Sequence, residues 1–106
     1  MSDIKNKYKI ITLCGSIRFK KEFMKVKEKL TLNGNIILTP NFFNDSNVAT
    51  NLETRKMLDE MHRQKIDMSD EIYVINLGGY IGESTKSEIE YAKANGKKIS
   101  YLESIK

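Results

Sequence analysis

The sequence predicts an α/β fold, a parallel sheet of about four strands in the order 2-1-3-4 with helices on both faces. Three observations carry this expectation. Short β-branched apolar runs alternate with longer amphipathic stretches along the whole chain. Gly, Asn or Pro stands at most of the junctions. The resulting order, β-α-β-α-β-α-β, separates every pair of strands by a helix, which calls for right-handed crossovers and not for hairpins.

Tyr8–Cys14 (YKIITLC) is the first strand, short and rich in β-branched residues. In the following GSIRFKKEFMKVKEKL, Phe19, Phe23, Val26 and Leu30 recur at steps of four, three and four, the period of one helical face. Ser16 stands where an N-cap is expected. Asn33-Gly34 closes this helix, because both residues tolerate left-handed backbone. NIILT is the second strand, stopped by Pro40. PNFFNDSNVATN is a polar loop that carries Phe42 and Phe43. A second helix is expected over residues 52–68, with Leu58, Met61 and Ile66 on one side. EIYVIN is the third strand, and Gly78-Gly79 open the loop behind it. The third helix is expected over residues 85–95, closing at Gly96, and KKISYLE is the last strand. There is no internal repeat, low-complexity tract or linker. A chain of 106 residues is the size of one domain, so residues 1–106 read as a single unit.

Composition narrows the function. The apolar share of 40% and charged share of 30% are those of a soluble globular protein. No apolar run approaches the roughly 20 residues that span a bilayer, so no membrane role is expected. MSDIKNKYKI lacks the apolar core of a signal peptide, and with a single cysteine, Cys14, no disulfide can form within the chain. Both point to the cytoplasm. One Cys and one His cannot make a zinc site of Cys and His alone, and no metal or other cofactor is expected. The net charge is +4, but much of the excess lies in RFKKEFMKVKEK, where lysines alternate with an apolar stripe as on a solvated helix face. No nucleic-acid recognition motif accompanies it. A small anionic ligand also fits this mildly positive charge.

In open sheets of this kind, ligands bind beyond the carboxyl ends of the strands, where strand order reverses. Here that point lies between strands 1 and 3, whose loops are CGSIR and GGYIGEST. Gly15, Ser16, Ile17 and Arg18 bring backbone N–H groups, a helix start and a guanidinium to one turn, a combination suited to an anion. A tight turn with a serine cap reads the same four residues equally well. Glu88 also has two readings. Thr85-Lys86-Ser87-Glu88 matches the capping box S/T-x-x-E, and the local pattern alone favours that role. A carboxylate at the ligand edge can instead act on a substrate. His62 lies eight residues before Asp70. Eight helical residues climb roughly 12 Å and six strand residues roughly 20 Å, so His62 is expected near the ligand edge, facing inward beside Leu58 and Ile66. It serves there as a proton donor, as a base contact, or only as a buried histidine with its hydrogen bond met. Tyr80, Phe42 and Phe43 are loop aromatics that either stack on a base or simply pack. Cys14 reads as a buried structural thiol.

The stretches LCGSIRFK, NGNIILTPN, SDEIYVIN and SEIEYAKANGKKISYL, in that order and spacing, resemble the nucleoside 2-deoxyribosyltransferase family. The likeness is greatest to its branch of 2′-deoxynucleoside 5′-phosphate N-hydrolases. It spans nearly the whole chain and is weakest over residues 41–60. The resemblance implies a Rossmann-like, flavodoxin-like three-layer sandwich and attack on C1′ of a deoxyribose. It puts Glu88 at the family's nucleophile, which forms a glycosyl-enzyme intermediate. It puts Ser16 and Arg18 in the loop that holds the 5′-phosphate. It implies a homo-oligomer, since relatives often complete their sites across subunits. Three positions depart from the family. His62 stands at the place of the catalytic aspartate, Thr12 at a tyrosine of the N-hydrolases, and Gly82 at a serine or aspartate that contacts phosphate or sugar, with Ser84 two residues later.

The expected function is therefore cleavage or transfer of the N-glycosidic bond of a small (deoxy)nucleoside or its 5′-phosphate. Glu88 and His62 are the catalytic candidates. Gly15, Ser16, Ile17, Arg18 and Ser84 are the phosphate candidates, and Tyr80, Gly82 and Phe42 the other substrate contacts. A non-catalytic nucleotide sensor on the same fold is the alternative. An NAD-cleaving enzyme of TIR-like type and a basic nucleic-acid-binding module rank below both.

Overall fold

The structure, a computed structural model, describes residues 7–42 and 51–105. Phe43 lies outside the described residues. Four strands, β1 (Lys9–Gly15), β2 (Asn35–Leu38), β3 (Glu71–Ile75) and β4 (Lys98–Tyr101), form one sheet in the order β2-β1-β3-β4. Every neighbouring pair is parallel, with Thr12 opposite both Leu38 and Ile72, and Glu71 opposite Lys98. Three helices connect them: α1 (Lys20–Leu32), α2 (Leu52–Asp67) and α3 (Glu83–Ala94). This is the expected fold.

Alternation along the strands separates two cores. Ile11 and Leu13 of β1 and Ile75 of β3 pack with Phe23 and Val26 of α1 on one face. Cys14 of β1 and Ile72 and Val74 of β3 pack with Ile66 of α2 and with Ile89 and Ala92 of α3 on the other. A side-chain period of two sends neighbouring residues to opposite faces, and crossover helices cover both, so the middles of the central strands are mostly apolar. The helical face read from Phe19, Phe23, Val26 and Leu30 holds, with Phe23 fully buried at its centre.

Three expectations are corrected. The third helix begins two residues early, at Glu83, with Gly82 as its N-cap and Lys86 N–H already bonded to Gly82 O at 2.9 Å. Thr85 is thus an interior residue of α3, and Glu88 sits in the second turn, not at the third position of a capping box. Ser16 caps a short 3₁₀ turn, Ile17–Phe19, that precedes α1, its Oγ accepting from Arg18 N–H at 3.2 Å. On α2, Met61 faces solvent, and the inward residues are His62 and Ile66. A step of four from Leu58 reaches His62, while Met61 falls about 100° short of that line.

The strand ends at the switch point are held closely. Gly15 ends β1 at φ 152°, and a Cβ placed there would lie 2.9 Å from Ile75 O and 3.2 Å from the Phe23 ring. On the far side of β3, Asn76 clamps the exit of β4: its amide donates to Glu103 O at 3.0 Å and its carbonyl accepts from Glu103 N–H at 2.8 Å. Gly15→Ala combines a disfavoured backbone angle with a backbone clash. It is expected to lower unfolding free energy by at least about 2 kcal/mol, measured by urea denaturation; a loss below about 0.5 kcal/mol, the range of an ordinary surface change, would refute the close approach.

Candidate active site

The carboxyl ends of β1 and β3 open onto a cleft of about 1010 Å³. Its floor is the β1 turn at Gly15, Ser16 and Ile17. One wall is the inward side of α2, and another is the first turn of α3 with the loop before it. Of the residues singled out in the sequence, Gly15, Ser16, Ile17, Phe42, His62, Tyr80, Gly82, Ser84 and Glu88 all border this one cleft. Arg18 does not. Its guanidinium lies over the Tyr80 ring, 4.2 Å from the centroid, while Phe19 meets the same ring edge-on at 6.1 Å. Phe42 is anchored against Phe23 at 5.2 Å. The Ser16 side chain occupies the Arg18 amide, which removes that amide from the donors expected to meet an anion.

At the head of the cleft three side chains from three elements converge. Cys14 comes from β1, His62 from α2 and Glu88 from α3. His62 Nε2 lies 3.5 Å from Cys14 Sγ and 3.6 Å from Glu88 Oε1. Cys14 is fully buried, His62 is 7% exposed, and the Glu88 side chain keeps 20% exposure towards the cleft. His62 Nδ1 has no hydrogen-bond partner among the described residues. Sequence reading placed Cys14 in the core only. Its sulfur borders the site because β1 turns its last side chain on that face towards α2 and α3, and the contact with His62 joins positions 48 residues apart, which no local pattern reports.

Burial dominates the electrostatics. It lowers the His62 pKa to about 4, with the nearby Lys65 charge acting in the same direction. It raises the Glu88 pKa to about 7; the Cys14 hydrogen bond opposes this, Asp59 adds to it, and Arg63 opposes it. The Cys14 thiol is pushed well above its usual value, first by burial and then by the Glu88 charge and hydrogen bond. At neutral pH the imidazole and the thiol are therefore uncharged, and Glu88 is the group that exchanges a proton in the working range. Cations border the cleft as well: Lys20, Arg55, Lys56 and Lys65. Lys65 also donates to Thr39 O at 2.8 Å, joining α2 to the end of β2.

A four-stranded parallel sheet with its cleft at the strand-order switch defines a three-layer, Rossmann-like α/β protein. The chain belongs to the family described as a domain of unknown function (DUF4406), which matches residues 10–101. Among solved structures it is similar to a 2-deoxyribosyltransferase from Bacillus psychrosaccharolyticus, with a TM-score of 0.71 and 19% identity over 92% of this chain and 77% of that one. At that identity the likeness is one of fold. No curated protein matches the chain. No helix among the described residues is long and apolar enough to cross a membrane.

The start of α3 at Glu83 removes the capping role from Glu88. A lost cap would lower stability by about 1 kcal/mol. Glu88→Gln is expected instead to melt at or above the wild-type temperature, because it relieves the cost of burying a carboxylate. A clear drop in melting temperature for both Glu88→Gln and Glu88→Ala would restore the structural role.

Proposed function

We propose that the protein cleaves or transfers the N-glycosidic bond of a small (deoxy)nucleoside or its 5′-phosphate, with Glu88 as the nucleophile. The observation that carries this reading is the placement of Glu88. Its carboxylate is mostly buried, is not used as a helix cap, and borders the cleft at the strand-order switch. The fold shared with a 2-deoxyribosyltransferase supports the same chemistry.

In this reading Glu88 Oε bonds to C1′ as the C1′–N bond breaks. The bonding pair leaves with the base, which takes up a proton from solvent. Water, or a second base, then displaces Glu88 from C1′. His62 is neutral at working pH, so its part is that of a positioning residue that holds the Glu88 carboxylate, not that of an imidazolium acid. Gly15, Ser16, Ile17 and Ser84 border the phosphate end, with Lys20 supplying charge beside them. Tyr80, whose ring is backed by Arg18, offers a flat surface for a base. Residues 1–106 act as one domain, and a homo-oligomer is proposed on the same resemblance.

The second reading, a nucleotide sensor, is favoured by one observation: His62 stands where the resemblance expects an acid and is held neutral. Incubation with a nucleoside and nucleotide panel, followed by chromatography of the free base, separates the two. Wild type is expected to release base, and both Glu88→Gln and Glu88→Ala to lose at least about 100-fold in rate, since an amide oxygen carries no charge with which to attack C1′. Near wild-type turnover in Glu88→Gln would reject the nucleophile. Saturable nucleotide binding without turnover in the wild type would establish the sensor.

A further inference from the structure

We infer that Cys14, His62 and Glu88 form a binding site for a thiophilic divalent cation of the zinc type, open to the cleft. Their three ligand atoms, one sulfur, one nitrogen and one oxygen, all lie within 4.8 Å of one another. Zinc bonds of about 2.0–2.3 Å at a tetrahedral angle place ligand atoms about 3.3–3.6 Å apart. The sulfur–nitrogen and nitrogen–oxygen separations here are 3.5 and 3.6 Å. Three protein ligands and one open position are the pattern of exchangeable and catalytic zinc, while closed four-ligand sets mark structural sites.

Independent features point the same way. His62 is more than nine-tenths buried, and its Nε2 faces the sulfur and the carboxylate together. The charges also balance: a thiolate, a carboxylate and a neutral imidazole offset a divalent ion, which relieves the cost of a buried charge. On binding, the sulfur–metal bond forms as the thiol proton leaves to solvent. Entry is from the cleft, past His62 and Glu88, because Cys14 itself is closed to solvent. The sequence count excluded a site of Cys and His alone; the third ligand is a carboxylate that is distant in the chain.

The missing partner at Nδ1 sets the strength. Loss of such outer support costs about 10–100-fold in affinity, so the ion exchanges and does not hold the fold together. Where Glu88 is also the nucleophile, metal and glycosyl transfer exclude each other, and zinc inhibits. The binding itself does not rest on that reading.

The test titrates the reduced full chain with Co²⁺ in place of zinc. A single saturable thiolate-to-cobalt charge-transfer band is expected, with visible bands of tetrahedral intensity, displaced by Zn²⁺. Cys14→Ser should lose the charge-transfer band, and His62→Gln should bind Co²⁺ more than about 100-fold less tightly, beyond the cost of an outer-shell loss. Circular dichroism checks the fold of each variant, and His62→Gln decides if Cys14→Ser does not fold. Absence of a saturable band in the wild type, or unchanged affinity in His62→Gln, overturns the site. A cobalt band without base release on any nucleotide would leave the metal site standing and reject the enzyme. Base release in the presence of a chelator, with no cobalt band, would do the reverse.

Discussion

Everything at the ligand edge depends on how closely β1 approaches β3 at its last residue. Gly15 sits where any side chain would meet the Ile75 carbonyl and the Phe23 ring. That contact brings the two strand ends together and lets the chain turn sharply into Ser16. The turn leaves the strand-order switch open above it, and Cys14, one residue earlier, is aimed at the opposite face. The position of the cleft and the position of the thiol thus follow from one backbone approach.

The convergence of Cys14, His62 and Glu88 is costly in stability terms. Each is a titratable group carried away from water, and each is shifted against its charged form. A core built for stability alone would place apolar residues there, as it does with Ile66, Val74 and Ile89 a short distance below. Proteins retain such groups where their chemistry is used.

The fold was legible because both periods in the chain are regular. Strand residues such as Ile72 and Val74 sort to one face, and Phe23 and Val26 sort to one side of α1. The start of α3 was not legible. Thr85-x-x-Glu88 imitates a capping box, yet Gly82 releases the chain into helix earlier, and Glu83 adds an acid to the first turn, where the helix dipole favours it. Gly15, Ser16, Ile17, Tyr80, Gly82 and Ser84 were legible because they lie in the two strand-to-helix connections that the topology brings together. Cys14 and the cations of α2 were not, because their place at the site is set by packing between elements and not by neighbours in the chain. Met61 was misplaced for a smaller reason: one residue of phase on a helix separates His62, inward, from Met61, outward.

The two ends of α2 are fastened unequally. Near its carboxyl end, the Thr12 hydroxyl donates to Lys65 O at 3.0 Å and meets the Ser69 hydroxyl, Tyr91 donates to Asp67 at 2.7 Å, and Lys97 donates to Asp67 O and Ser69 O. At the other end, the described bonds are the Asn51 cap, which accepts from the Glu53 and Thr54 amides and so ties the helix only to itself. Among the described residues, the bonds that tie the helix to its neighbours thus gather towards its carboxyl end. At about 1.5 Å per residue, His62 lies about 7.5 Å from Asp67 along the helix axis, and Arg55 about 18 Å. His62 is therefore set close to the fastened stretch that joins α2 to β1 and α3, while Arg55 stands two helical turns further out, at the rim of the cleft.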